Sequence, residues 1–224
     1  MHSPTVATIG DHALAAWEIV SVVSSVLIAE WVLAVAGLNR LIVAVPVTLA
    51  FAFMIASHRQ RRETLRDLGF RLDNFAHAVL LLLLPMLATT VVLLMVGWLS
   101  VAGINFLRWR SGSALVVQLV LGFGWGLVQQ YVLQGFINRR AIIVFGRGWL
   151  SVLLVAAIFA ALHFPNAWLA VATFVGGFVW AAVYQRAPNI FALALSHSLM
   201  TWVFISTTPA WALHHLRIGF SYFG

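Results

Sequence analysis

The chain of 224 residues contains no cysteine and no lysine, and only 8% of its residues are charged. Without cysteine there is no disulfide, no thiol nucleophile and no thiolate metal ligand. With 62% hydrophobic residues and a mean hydropathy of +0.99, the chain has too few polar side chains to cover the surface of a water-soluble domain. The composition therefore predicts a protein whose solvent is a lipid bilayer.

Basic residues outnumber acidic residues by 13 to 6, and every basic residue is an arginine. The net charge of +7 could suit nucleic acid, but the arginines are spread over loop segments and form no basic stripe interleaved with stacking aromatics. The sequence therefore predicts no nucleic-acid partner, and membrane lipids are the expected partner instead.

Apolar runs alternate with short arginine-bearing segments, and each run approaches the roughly 20 residues that a helix needs to cross ~30 Å of hydrocarbon. They predict seven spanning helices, over residues 13–38, 41–56, 75–99, 114–137, 149–164, 167–184 and 190–207. Residues 211–224 are too short and too mixed to be expected to span. Residues 1–12 lack the basic region of a cleaved signal peptide, so the first run is expected to remain as an anchor.

The segment 58–74 carries five arginines, with Leu65, Leu68 and Phe70 among them. This pattern predicts an amphipathic segment that lies on an anionic membrane surface. If the segment faces the cytoplasm, nine of the 13 arginines lie on that side, which is the expected bias and places the N-terminus in the cytoplasm. The chain is thus expected to form one domain, 1–224, in the cytoplasmic membrane.

Polar side chains inside the apolar runs are costly in hydrocarbon and are functional candidates for that reason. They are Glu18 and Glu30 in the first run, Gln118, Gln129, Gln130 and Gln134 in the fourth, His163 in the fifth, and Ser196, His197, Ser198 and Thr201 in the seventh. Residues four apart share a helix face, so a polar cavity is predicted among the fourth, fifth and seventh helices. The alternative is that these groups only hydrogen-bond one helix to another.

Three motifs in this region resemble those of one protein family. The first covers residues 126–136. The family motif has two adjacent glutamates, then three residues, then an arginine and a glycine. This chain has Gln129 and Gln130 at the glutamate positions, Gln134 at the arginine position, and the same glycine at Gly135. The second is a phenylalanine four residues before a histidine, which is similar to Phe159 and His163. In the third, a histidine is followed four residues later by asparagine or a similar polar residue, which matches His197 and Thr201.

With these motifs in the same order and spacing, residues 122–201 resemble the CAAX-protease/Abi family of intramembrane endopeptidases. The resemblance implies an all-α transmembrane bundle of about seven or eight helices, with N-terminal helices over residues 1–111 and a family core over residues 112–207. It implies catalytic positions at Gln129, Gln130, His163 and His197, and substrate contacts at Gln134, Phe159 and Thr201. It implies no cofactor.

The departures from the family pattern fall on the chemistry. In the family the glutamate is taken to activate water, while histidine and asparagine position the water and stabilise the oxyanion. A glutamine amide has the shape of a glutamate but accepts no proton, so Gln129 and Gln130 cannot act as general bases. Because two anions and their cationic partner are replaced together, the site remains a neutral network. Whether the chain is an enzyme is left open.

Other residues could replace the missing base. His163 or His197 has a suitable ordinary pKa for this role, and Glu30 is an intramembrane carboxylate that needs a partner or a proton. Glu30 would otherwise snorkel or pair with Arg108 or Arg110, and Glu18 is expected to be more easily solvated. Two histidines without a carboxylate or thiolate fall short of the three protein ligands of catalytic zinc, so no metal is expected.

The predicted site requires Gln130, His163 and His197 to lie at the same depth in the membrane. Helical rise places Gln130 and His197 each ~12 Å from the same ends of their helices but His163 at ~20 Å, so tilt or a break near Pro165 is needed to bring them together.

Three functions fit the sequence. The first is binding, and conversion in some form, of an apolar or prenylated peptide or an isoprenoid lipid, without glutamate-dependent proteolysis. The second is an active CAAX-type endopeptidase in which His163 or His197 activates water. The third is an enzyme acting on an isoprenoid or carotenoid-like lipid, in which some of the ten tryptophans and 16 phenylalanines converge on the histidines to stabilise a cation.

Overall fold

The computed structural model describes residues 9–100, 103–107 and 114–223, and all regular secondary structure in these ranges is helical. The α-helices are α1 (Ile9–Leu27), α2 (Arg40–Gln60), α3 (Phe75–Leu99), α4 (Ala114–Gln130), α5 (Arg139–Phe145), α6 (Trp149–Ala161), α7 (Ala167–Arg186), α8 (Ile190–Thr207) and α9 (Ala210–Leu213). Two π-helical segments, Ile28–Leu33 and Tyr131–Asn138, extend α1 and join α4 to α5. The chain closes with 3₁₀ turns, His214–Leu216 and Gly219–Phe223.

Six helical segments are long and apolar enough to cross a membrane: Ile9–Leu33, Arg40–Gln60, Phe75–Leu99, Leu115–Phe145, Ala167–Arg186 and Ile190–Thr207. The prediction of an all-α, polytopic membrane protein is confirmed. The run expected to span over residues 149–164 is the 13-residue helix α6, which is only about 20 Å long. Within the described residues, the C-terminal tail forms only short helical turns.

One boundary prediction was wrong. The fourth span was expected to end at residue 137, with Arg139 and Arg140 in a loop, but the helix continues through the π-helical segment to Phe145. The prediction treated each arginine as a mark of contact with water. Arg140 is instead fully buried and paired with carboxylates, so the helix has no need to end there.

The packing that builds the core is between α4 and α8, α6 and α7, and α3 and α8. Helix α8 is the most buried of the six candidate spans. Asn189 caps its first turn by accepting a hydrogen bond from the Ala192 amide at 2.9 Å, and its own amide group donates to the Arg71 carbonyl at 2.7 Å. The segment between α2 and α3 is thereby tied to the start of α8.

Close approach of α4 and α8 depends on Gly126. A Cβ atom at this position would lie 3.0 Å from the Ala194 carbonyl oxygen, whereas a Cβ at Gly124 would meet nothing within 4 Å. We expect Gly126→Ala to destabilise the protein by about 1–3 kcal/mol through overpacking. Gly124→Ala should be neutral or slightly stabilising, because alanine favours helix. Equilibrium unfolding of the reconstituted protein compares the two, and equal effects would contradict this account of the α4–α8 contact.

Candidate functional site

His197 lies inside the bundle on α8, with 8% of its surface exposed. The Trp180 ring of α7 stacks on it, with the ring centroids 4.5 Å apart and the planes 8° from parallel. Trp180 is itself oriented, because its Nε1–H donates to the Ser196 hydroxyl at 2.9 Å. Gln130, at the end of α4, contacts the edge of the imidazole, with its Nε2 3.2 Å from Nδ1. The histidine is therefore fixed by two neighbouring helices.

The contact with Gln130 determines what the His197 ring can do. The amide nitrogen is a donor only, so Nδ1 accepts this hydrogen bond. In a neutral imidazole the proton then lies on Nε2, and the ring presents a donor at that atom. In this arrangement His197 has no free lone pair with which to take a proton from water.

His163 is held in the opposite tautomer. Its Nδ1 lies 2.7 Å from the carbonyl oxygen of Phe159. A carbonyl only accepts, so Nδ1 carries the proton and Nε2 keeps its lone pair. Of the two histidines, His163 is the one with the ring nitrogen that a general base requires.

Phe159 links the two histidines. Its ring makes edge contacts with both imidazoles, at centroid distances of 4.7 Å to His163 and 6.0 Å to His197. The chain turns just after α6, at residues 162–166. Because Phe159 contacts both rings, the two histidines lie near each other despite the difference in depth expected from helical rise.

Gln134 faces the interior but does not join Gln130 at His197. The π-helical segment begins at Tyr131, and the Gln134 carbonyl accepts from Asn138 at 2.8 Å. Asn138 in turn accepts from Gln185, which also donates to Ser151. Within the part of the chain that the structure describes, the buried Gln130 Oε1 and Gln134 Nε2 have no hydrogen-bond partner, so the amide network retains one free acceptor and one free donor there.

A narrow cavity of ≈ 70 Å³ lies beside His197, between α4 and α8. It is lined by Leu115, Gln118, Leu119, Gly122, Trp125, His197, Ser198, Thr201, Trp202 and Ile205. A cavity was expected to include the helix that carries His163 as well, but residues from α4 and α8 alone line this one. It places two hydroxyls, an imidazole and an amide among mainly apolar side chains.

Two candidate residues lie apart from this cavity. The Gln129 side chain is partly exposed and does not line it. Glu30 lies against Gly219, whose amide donates to the Phe164 carbonyl at 2.9 Å, which places the carboxylate near the His163 turn but outside the cavity lining. The expected alternative partners of Glu30, Arg108 and Arg110, lie outside the described residues.

A buried ionic cluster, which was not predicted from the sequence, joins α1, α2 and α5. Arg140 is fully buried and lies 2.7 Å from Glu18 and 2.9 Å from Glu63. Glu18 also accepts from Ser57 at 2.6 Å and from Arg61 at 3.1 Å. Glu18 was expected to be easily solvated, but it is 3% exposed. Two features of the sequence could have indicated this cluster: Glu18 lies within the first apolar run, and the pair Arg139-Arg140 closely follows the fourth apolar run.

Glu63 completes this cluster from the segment that follows α2. It accepts from Arg139 at 2.6 Å and lies 2.6 Å from Nδ1 of His58. Burial by itself would raise the pKa of the Glu63 carboxyl, but the hydrogen bonds with His58 and Arg140 and the charges of Arg140 and Arg139 outweigh it and lower that pKa. Glu63 is therefore a carboxylate at neutral pH.

Among the described residues, no three histidine, aspartate or glutamate side chains converge as metal ligands. Of the ten tryptophans in the chain, Trp17, Trp98, Trp125, Trp149, Trp168 and Trp211 are exposed on the outside of the bundle. Trp180 and Phe159 are the aromatic residues whose rings contact His197.

The comparison with known proteins agrees with the motif pattern. No curated protein and no solved structure matches the chain. Residues 110–203 match the family described as type II CAAX prenyl endopeptidase Rce1-like. This match contains Gln130, His163 and His197 together with nine of the ten residues that line the α4–α8 cavity. The part of the chain that carries the candidate site is therefore similar to this family, as the motif spacing predicted.

Proposed function

We propose that this membrane protein binds the end of an apolar or prenyl-type ligand between α4 and α8 and does not carry out glutamate-dependent proteolysis. The observation that carries the proposal is the contact between Gln130 and Nδ1 of His197 at 3.2 Å, within the α4–α8 core. At the position where the family has a glutamate, a neutral amide lies fully buried against the histidine. An amide holds the shape of this site without supplying the proton acceptor.

The cavity dimensions indicate how such a ligand would bind. A volume of ≈ 70 Å³ accommodates the end of a hydrocarbon chain but not a whole prenyl group. Leu115 and Trp125 line the cavity, and Trp125 is 62% exposed on the lipid side of α4. The ligand end would contact Thr201 and His197, while the remainder of the chain would lie along the lipid-facing surface.

A second candidate, histidine-driven hydrolysis, is favoured by one specific observation. The Phe159 carbonyl holds His163 in the tautomer that leaves the Nε2 lone pair available. If the native protein cleaves a prenylated peptide, His163→Ala abolishes cleavage. His197→Ala, which removes a donor at Nε2, leaves a lower residual rate. The isoprenoid-enzyme alternative is less favoured, because six tryptophans are exposed on the outside of the bundle, and only Trp125 among these six lines the cavity beside His197.

Photo-crosslinking tests the binding proposal. The protein is reconstituted in lipid with a farnesylated peptide that carries a diazirine in the prenyl chain. Thr201→Phe fills the cavity, so the ligand can enter only if neighbouring side chains move, which is costly. We therefore expect this variant to reduce labelling by about tenfold. Leu195→Phe is the matched control, because it enlarges an exposed side chain of the same helix. Equal labelling of the two variants would contradict binding between α4 and α8.

A further inference from the structure

A second cavity, of ≈ 360 Å³, lies at the end of α2 and is separate from the His197 site. It is lined by Ile55, His58, Arg59, Glu63, Leu65, Leu68, Phe70 and Tyr131. One part of this wall is therefore charged and the rest is apolar. The inference drawn from it does not depend on the proposed function.

His58 lines this cavity and has one ring nitrogen without a partner. The residue is 5% exposed, and Nδ1 lies 2.6 Å from the Glu63 carboxylate. Nε2 is buried and has no hydrogen-bond partner among the described residues. Because a buried polar atom without a partner is costly, a ligand in the cavity that reaches this nitrogen would be favoured.

The charges around the cavity favour an anionic ligand. In the buried cluster, the two carboxylates of Glu18 and Glu63 face the three guanidinium groups of Arg61, Arg139 and Arg140. The Asp67 carboxylate, which interacts with Arg139, balances the third guanidinium. Arg59 therefore supplies an uncompensated positive charge, since within the described residues its exposed guanidinium has no ion-pair or hydrogen-bond partner. The carboxylate that lines the cavity, Glu63, is already bound by Arg139 and Arg140.

The apolar part of the wall continues to the surface. Ile55 is 47% exposed and Leu65 is 68% exposed, and Phe70 and Tyr131 lie deeper. An anionic lipid requires apolar side chains beside an arginine. Its headgroup binds the arginine, and its acyl chains lie along the apolar side chains.

We propose that this cavity is a binding site for an anionic phospholipid. The headgroup phosphate lies between the Arg59 guanidinium and Nε2 of His58, and an acyl chain follows Ile55 and Leu65. A protonated imidazole donates at both nitrogens, so His58 would donate to Glu63 through Nδ1 and to the phosphate through Nε2. The lipid would thereby complete the buried cluster that joins α1, α2 and α5.

Native mass spectrometry of the detergent-purified protein tests this site, with phosphatidylglycerol and phosphatidylcholine supplied in equal amounts. Arg59→Gln removes the free charge. His58→Asn keeps a donor near the position of Nδ1 and removes Nε2. Arg62→Gln is the matched control, because Arg62 is an exposed neighbour that does not line the cavity. We expect Arg59→Gln and His58→Asn each to reduce retained phosphatidylglycerol about fivefold, whereas Arg62→Gln leaves it unchanged.

Three outcomes would overturn the proposal. Equal losses in Arg59→Gln and Arg62→Gln would mean diffuse attraction to a charged surface, and no loss in either cavity variant would mean that no lipid binds there. Inorganic phosphate distinguishes the source of the anion. If phosphate binds to the detergent-purified protein and phosphatidylglycerol does not displace it, the cavity takes a free anion and the lipid assignment is wrong.

Discussion

Replacing Arg140 with methionine is expected to destabilise the folded protein by about 3–5 kcal/mol, the usual cost of removing one partner from a buried ion pair. Arg140 is fully buried and is shared by Glu18 and Glu63, which come from α1 and from the segment after α2. Without the guanidinium, two nearly buried carboxylates lose their common counter-charge. Equilibrium unfolding of the protein in mixed micelles, followed by near-UV circular dichroism, measures the change.

Arg139 provides the matched control. It also pairs with Glu63, but its side chain is 26% exposed. Because water screens the pair, Arg139→Gln should cost only about 0–1 kcal/mol. The double variant Glu18→Gln/Arg140→Met should recover part of the stability lost in Arg140→Met, since one unpaired carboxylate is removed as well. If Arg140→Met and Arg139→Gln were equally destabilising, the buried cluster would not be what ties these helices together.

Restoring the family's ionisable groups is expected to produce peptidase activity. In the triple variant Gln129→Glu/Gln130→Glu/Gln134→Arg, a carboxylate takes the place of the amide beside Nδ1 of His197, with a cation one turn away. A positioned general base contributes about 10²–10⁴-fold in rate. We therefore expect hydrolysis of a farnesylated peptide at least ~10²-fold above that of the native protein. Mass spectrometry of the products, from protein reconstituted in lipid, measures it.

Gln118→Glu is the control for this gain. It places a carboxylate on the same helix, in the wall of the α4–α8 cavity, but about 18 Å along α4 from residue 130. Such a carboxylate should not support hydrolysis. If the native protein already cleaves the peptide, and His163→Ala abolishes this activity, the binding proposal fails and the histidine-driven peptidase replaces it.

Much of the fold follows from the sequence alone. Apolar runs separated by arginines predicted the helical membrane architecture, because hydrocarbon accepts only backbone whose hydrogen bonds are satisfied within the chain. Motif spacing also identified Gln130, His163 and His197 as a group. Where the prediction failed, as at the end of the fourth span, the arginine was buried against carboxylates distant in sequence.

The details of the site required the tertiary structure. The sequence identifies His163 and His197, but it does not show which ring nitrogen carries the proton in each. That depends on whether Nδ1 contacts a carbonyl oxygen or an amide nitrogen. It contains Gln134, but the π-helical segment that directs this side chain to Asn138 is not visible in the residue pattern.

Local composition and helical periodicity therefore determined which residues enter the membrane and which helix faces carry polar groups. The bundle decided which of these groups meet. Arg140 pairs with Glu18 and Glu63, 122 and 77 positions away in the chain, and Trp180 stacks on His197 from a neighbouring helix. Hydrophobicity acts on each segment separately, whereas hydrogen bonds, ion pairs and ring contacts require particular atoms at contact distance, and only the packing of the helices places them there.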